Sequence, residues 1–192
     1  MQDPDRRLIE AVARGDEAAL EQLMQAHMPS VHAVARRLLK DDAAADDAAQ
    51  ETFLAVWRSA SSFRGDAPGR AWIHRIALNK ARSIGRWRSV RSWLSLDASA
   101  GPDDDAPTLG DALPDPSLEA DPAAARTRGD RAERLRAAVD ALAPRQKEMI
   151  LLKLEGLETA EIAAACGAAE GTVKATLHQA RARLETMLKE DA

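Results

Sequence analysis

TAEIAAACGAAEGTVKATLHQARARL, residues 159–184, holds two helical periodicities separated by a glycine and a short run of small residues. Glu158-Thr159 opens a short helix carrying Ile162 and Ala163, and Gly167 stands where a left-handed C-terminal cap is needed. A three-residue turn follows, and a long helix starts at Gly171 with Thr172 in its first turn. Val173, Leu177, Ala180 and Leu184 share one stripe of that helix. The opposite face carries Gly171, Ala175, His178 and Ala182, flanked by Lys174, Gln179 and Arg181. Such a face suits a DNA major groove, because small residues permit close approach and polar ones reach base edges or phosphates. Periodicity alone fits a helical hairpin with a solvated face equally well.

Upstream of this unit the pattern stays helical. LRAAVDALA and PRQKEMILLKLEG precede it, with Pro144 suited to a first helical position. Near the N-terminus, LIEAVARGDEAALEQLMQAH breaks at Gly15–Asp16, where Asp16 is a natural N-cap. Pro29 is expected to begin a further helix carrying Val31, Val34, Ala35, Leu38 and Leu39. Another helix is expected from Asp42–Ala45 through Trp57, with Ala49, Phe53, Val56 and Trp57 facing a core. With no Tyr and two Phe among 192 residues, any core is built from small aliphatic side chains, which points to an all-α chain.

Charge divides the chain. Residues 1–95 carry 15 Lys/Arg against 12 Asp/Glu, residues 96–130 carry 2 against 9, and residues 131–192 carry 10 against 10. The middle segment also holds five of the nine prolines and a DDD run, and reads as a flexible acidic linker. Its charge could also cover a basic surface or imitate nucleic acid. The chain is therefore read as an N-terminal helical bundle (1–95), a linker (96–130) and a C-terminal helix-turn-helix domain (131–192).

RAWIHRIALNKARSIGRWRSVRSWL, residues 70–94, concentrates seven Arg/Lys and three of the four tryptophans and contains no acid. Ile73, Ile76, Ala77 and Ile84 form its buried stripe, leaving Arg75, Asn79, Arg82 and Arg86 opposite. A structural helix normally intersperses acids for i, i+4 pairing, so their absence argues for an external polyanion. Asn79 and the interrupted apolar face make a poor membrane-surface helix. Trp72 belongs to the core by its position beside Ile73 and Ile76.

Other classes are disfavoured. No apolar run approaches the roughly 20 residues a membrane span requires. The charged N-terminus lacks a signal-peptide core, so a cytoplasmic protein is expected. One cysteine and four scattered histidines offer no disulfide or metal spacing. No catalytic constellation or cofactor motif is visible, so no enzyme is expected.

Residues 144–184, PRQKEMILLKLEGLETAEIAAACGAAEGTVKATLHQARARL, closely resemble the −35-binding domain of extracytoplasmic-function sigma factors. DDAAADDAAQETFLAVWR, residues 41–58, resembles the core-polymerase-binding helix of the same family, and the basic segment resembles its −10 element. The resemblance implies that Asp47, Gln50, Glu51 and Leu54 contact the clamp helices of the largest polymerase subunit. It implies that Phe63, Arg64, Arg75, Asn79, Arg82 and Arg86 bind melted −10 DNA, and that Gly171, Thr172, Lys174, Ala175, His178, Gln179 and Arg181 meet the −35 duplex. Implied partners are core RNA polymerase, including the subunit facing the −35 domain, promoter DNA and an anti-sigma factor; the implied role is transcription initiation in a stress response. This chain departs from the family pattern at Ala175-Thr176 and Gln179, which replace potential phosphate ligands. Ser83 replaces an Asp, and Ala48-Ala49 replace a bulkier apolar pair. Two other readings are weighed: a sigma mimic that sequesters an anti-sigma factor, which normally carries a receiver domain, and a free-standing helix-turn-helix repressor, which leaves the QETF helix and the basic segment unexplained.

Overall fold

The computed structural model describes residues 3–95 and 133–190, with backbone only for 89–95 and 190. The linker, the idea that it masks a basic surface and the side chain of Trp93 lie outside the described residues. Those described form helices and no strand: α1 (Pro4–Val12), α2 (Glu17–Leu39), α3 (Asp42–Ser59), α4 (Gly69–Ser95), α5 (133–140), α6 (Pro144–Leu154), α7 (Thr159–Cys166) and α8 (Glu170–Glu190). Among them no helix is long and apolar enough to cross a membrane, and no cluster of His, Cys, Asp or Glu could hold a metal ion.

Aspartates start the first three helices. Asp3, Asp16 and Asp41 each accept a backbone N–H of the following turn, from Asp5, Ala19 and Ala44 at 3.1, 3.1 and 2.6 Å. Each satisfies a donor the helix leaves orphaned and places negative charge at the positive end of its dipole. Lys40 ends α2 in the left-handed conformation, φ 55°.

Pro29 does not start a helix; it lies inside α2. Ala19, Leu23, His27, Val31, Val34 and Ala35 are buried along one unbroken face through the proline. Breaking the helix would uncover that stripe, whose burial outweighs one lost backbone hydrogen bond.

Helices α1–α4 surround a core of Ile9, Leu23, Val31, Phe53, Val56 and Ile73. A second core under α6–α8 contains Met149, Leu152, Leu157, Ile162, Val173 and Leu177, and reaches across to Val34 of α2 and Leu78 of α4. The two helical groups therefore share apolar packing.

Polar residues also lie deep in the first group, His74 among them. His74 is fully buried, its Nδ1 2.9 Å from the Arg70 carbonyl and its Nε2 3.2 Å from the Ser30 hydroxyl. His27 stands edge-on to it, with Asp5 2.9 Å from His27 Nε2. Burial lowers the His74 pKa from 6.5 to about 4.

Two expectations follow from this packing. Pro29→Ala restores a helical donor at an exposed position, and despite the looser unfolded chain should raise unfolding free energy by about 1–2 kcal/mol, measured by urea denaturation. Because the native state disfavours protonated His74, its stabilising contribution is complete above pH 6.5 and is lost as pH falls towards about 4. Up to about 3 kcal/mol is at stake, and His74→Gln should flatten the stability profile in that window.

Candidate polymerase and nucleic-acid interface

The outer face of α3 follows from burial of its inner one. Ala44, Ala45, Ala48, Ala49, Thr52, Phe53 and Val56 point inward. Asp47, Gln50 and Leu54 are consequently exposed along one side, Leu54 at 46%. Glu51 sits among them but is engaged: Lys80 of α4 donates to its carboxylate at 2.8 Å. That hydrogen bond, then the ammonium charge, holds Glu51 below its ordinary pKa.

Similar engagement runs along α4. Arg82 is only one-third exposed, and its Nε and Nη2 donate to the two carboxylate oxygens of Glu148 on α6, both at 2.6 Å. Glu148 is itself buried. Arg70 donates to the carbonyls of Glu155 and Gly156, and Arg88 to Asp41 at 2.7 Å. The expectation that Arg82 shares an exposed face with Arg75, Asn79 and Arg86 is therefore corrected. Absence of acids within residues 70–94 does not mean absence around them, because α3, α6 and the loop before α3 supply them from elsewhere. Arg75 and Arg86 remain exposed and make no ion pair among the described residues; Asn79 is exposed with its amide oxygen 3.3 Å from Arg82.

The tryptophans separate by environment. Trp72 is half-buried against Phe63, ring centres 5.1 Å apart, as its core position predicts. Trp87 is 75% exposed between Arg86 and Arg88. Phe63 is half-buried against the core, whereas Arg64 is exposed and makes no ion pair among the described residues.

In the C-terminal group, Glu158 and Glu161 form a reciprocal capping box at α7, and Gly167 ends the helix at φ 62°. Arg145 ties α6 to this end, donating to the Cys166 carbonyl at 2.7 Å. Burial pushes the Cys166 thiol up to about 11, leaving it protonated and unreactive. Helix α8 begins at Glu170, one residue earlier than read from sequence. Val173, Leu177 and Ala180 are buried, and Gly171, Thr172, Lys174, Ala175, His178, Gln179 and Arg181 are all exposed.

The two groups meet through these same elements. Besides Arg82–Glu148, Arg37 approaches Glu155 at 3.3 Å and Lys40 approaches Asp140 at 2.8 Å. Asp140 also accepts from Lys147. Sequence reasoning missed Lys80, Glu148, Glu155 and Asp140, whose partners lie on distant parts of the chain.

Comparison with known proteins finds Sigma-70 region 2 matching residues 23–93 and Sigma-70 region 4 matching residues 132–184. The RNA polymerase sigma factor CnrH of Cupriavidus metallidurans is 31% identical over 192 residues, covering 100% of this chain and 97% of that one. The extracytoplasmic-function sigma factor SigM of Mycobacterium tuberculosis is 32% identical over 186 residues, 96% of this chain and 84% of that one. Among solved structures, CnrH in complex with the cytosolic domain of CnrY aligns with a TM-score of 0.68 at 27% identity, over 98% of this chain and 99% of that one. RpoE in complex with the anti-sigma factor NepR from Bartonella quintana aligns with a TM-score of 0.63 at 26% identity, over 90% and 98%.

While Glu148 holds its Nε and Nη2, Arg82 has less of its fork to offer an external anion. Glu148→Gln weakens the bidentate pair and should loosen the contact between the groups, enlarging the radius of gyration seen by small-angle scattering. Affinity of the isolated protein for a single-stranded oligonucleotide should rise about three- to tenfold, the range of one net hydrogen bond; fluorescence anisotropy measures it.

Proposed function

The chain belongs to the extracytoplasmic-function sigma factors, and from that premise we propose how its surfaces recruit core RNA polymerase and open a promoter. Residues 1–95 form the polymerase and −10 module, 131–192 the −35 module, and 96–130 the tether between them. Asp47, Gln50, Glu51 and Leu54 dock on the clamp helices of the largest subunit, Leu54 supplying apolar contact and the acids meeting basic groups. Arg64, Arg75, Asn79 and Arg86, with Arg82 once it leaves Glu148, contact the melted −10 strand. Phe63 supports this surface from beneath through Trp72.

The −35 duplex is met by Gly171, Thr172, Lys174, Ala175, His178, Gln179 and Arg181 on α8. Exposure of this whole strip, above a fully buried Val173–Ala180 stripe, is the observation that carries the reading. Gly171 and Ala175 let the helix approach the groove, Gln179 and His178 offer groups to base edges, and Lys174 and Arg181 reach phosphates. Ala175, Thr176 and Gln179 leave fewer phosphate contacts than the family pattern supplies, so the isolated module grips weakly. Tethering two weak modules on one polymerase raises their effective concentration and restores the affinity.

The protein itself performs no chemistry; it positions the polymerase, acts in the cytoplasm where its partners are, and is held in check by an anti-sigma factor. Run-off transcription with core polymerase tests the reading. Wild-type protein should initiate from its cognate promoter, and Arg75→Ala/Arg86→Ala should reduce initiation about tenfold or more and lower the salt slope of DNA binding by about one to two. Lys174→Ala/Arg181→Ala should chiefly impair promoters with a −35 element. A folded wild-type protein that never supports transcription would sink the proposal.

A further inference from the structure

The Sigma-70 region 2 match begins at residue 23, after α1. Yet α1 is attached to the loop that the proposed function places on melted DNA. Asp3 is the first attachment. Its Oδ1 accepts the Asp5 N–H at 3.1 Å and its Oδ2 accepts the Gly69 N–H at 2.6 Å. One carboxylate thus caps the start of α1 and the start of α4, 66 positions apart. Both are favourable places for an anion, at helix N-termini with unpaired donors.

Steric constraints reinforce the join. A Cβ on Gly69 would stand 2.5 Å from Asp5 Cβ and 2.9 Å from Ile9 Cδ1, so only glycine lets α4 begin this close to α1. At the other side of the loop, Gly65 has φ +74°, and a Cβ there would meet the Arg6 guanidinium at 2.8 Å. Arg6 is held over Gly65 by Glu10, which accepts from its Nε at 2.9 Å. Between these two attachments α1 and the loop enclose a cleft of about 670 Å³, with Arg6, Arg7 and Glu10 on one wall and residues 65–68 on the other.

We infer that α1 is part of the −10-reading apparatus, and that Asp3 is the positioning residue that aims the 63–68 loop. This rests on the proposed function of that loop. A loop that contacts the melted strand must be held before the strand arrives; otherwise its ordering cost is charged against every contact it makes. Residues 63–68 lie between helices and have no ladder of their own to hold them. Asp3 fixes the end at Gly69 and Arg6 covers Gly65, so the direction in which Arg64 projects is set by α1.

The test compares initiation by core polymerase from promoters differing at single −10 positions. Asp3→Ser keeps a good N-cap for α1 but has no second oxygen for Gly69. It should retain helicity, polymerase affinity and −35 duplex binding, while discrimination between the best and the substituted −10 base contracts at least threefold. Arg6→Ala, at a half-exposed side chain whose loss spares folding, should contract the same preference in the same direction without changing the salt slope of DNA binding. Equal scaling of all promoters, or unaltered discrimination in both variants, overturns the inference while an active wild type leaves the proposed function intact. A salt slope lowered by about one in Arg6→Ala would make Arg6 a phosphate ligand and overturn the positioning assignment. Failure of wild-type protein to transcribe at all defeats the proposed function itself.

Discussion

Arg82 and Glu148 join the two helical groups through a fork-to-fork pair whose acid is almost wholly buried. Breaking such a pair by removing one partner is costly, about 3–5 kcal/mol in fully buried cases, because an uncompensated charge remains. Separating it intact is a different process, since both groups regain water or new partners. The net value of the contact is therefore modest, and the apolar packing of Val34 and Leu78 into the second core supplies the larger share. Each such side chain contributes about 1.5–3 kcal/mol when fully covered.

This constraint sorts the positive charge of α4. Arg70, Lys80, Arg82 and Arg88 are engaged by groups of the chain itself, whereas Arg75 and Arg86 make no ion pair among the described residues. A polyanion meeting this arrangement finds four of the cations of α4 already engaged. Separating the two groups would free Arg70 and Arg82 together, because Glu148, Glu155 and Gly156 all belong to the second group. On the proposed function, DNA affinity would be coupled to the separation of the helical groups through linkage.

Local chemistry was legible in the sequence; contacts across the chain were not. Gly167 and the apolar spacing of Val173, Leu177 and Ala180 disclosed the helix-turn-helix, because caps and periodicity are set within a few residues. Asp16 as an N-cap and the inward face of α3 were readable for the same reason. Pro29 misled because its local preference competes with a stripe extending from Ala19 to Ala35, and only the packed bundle decides between them. Arg82 misled because the rule applied to it concerns acids one turn away, while Glu148 arrives from a different helix group. The candidate residues on α8 were accessible to periodicity alone, whereas those on α4 required knowing what α6 and α7 cover.

The alanines at positions 48 and 49 show how packing carries function here. Ala35, Ala45 and Ala48 form one buried cluster, with Leu39 and Ile84 packed against it. Ala48 is 1% exposed, so a bulkier side chain there would force α2 or α4 away from α3. Close approach of these backbones is what allows Lys80 to span from α4 to Glu51 at 2.8 Å. The outer faces of α3 and α4, which the proposed function assigns to polymerase and to DNA, are consequently fixed in relation to each other by small residues and one ion pair. A sigma factor needs that fixed relation, because the strand it opens must emerge at a set position relative to the enzyme that copies it. Substitutions that enlarge the alanine seam would act on promoter opening without touching either partner, by rotating one surface against the other.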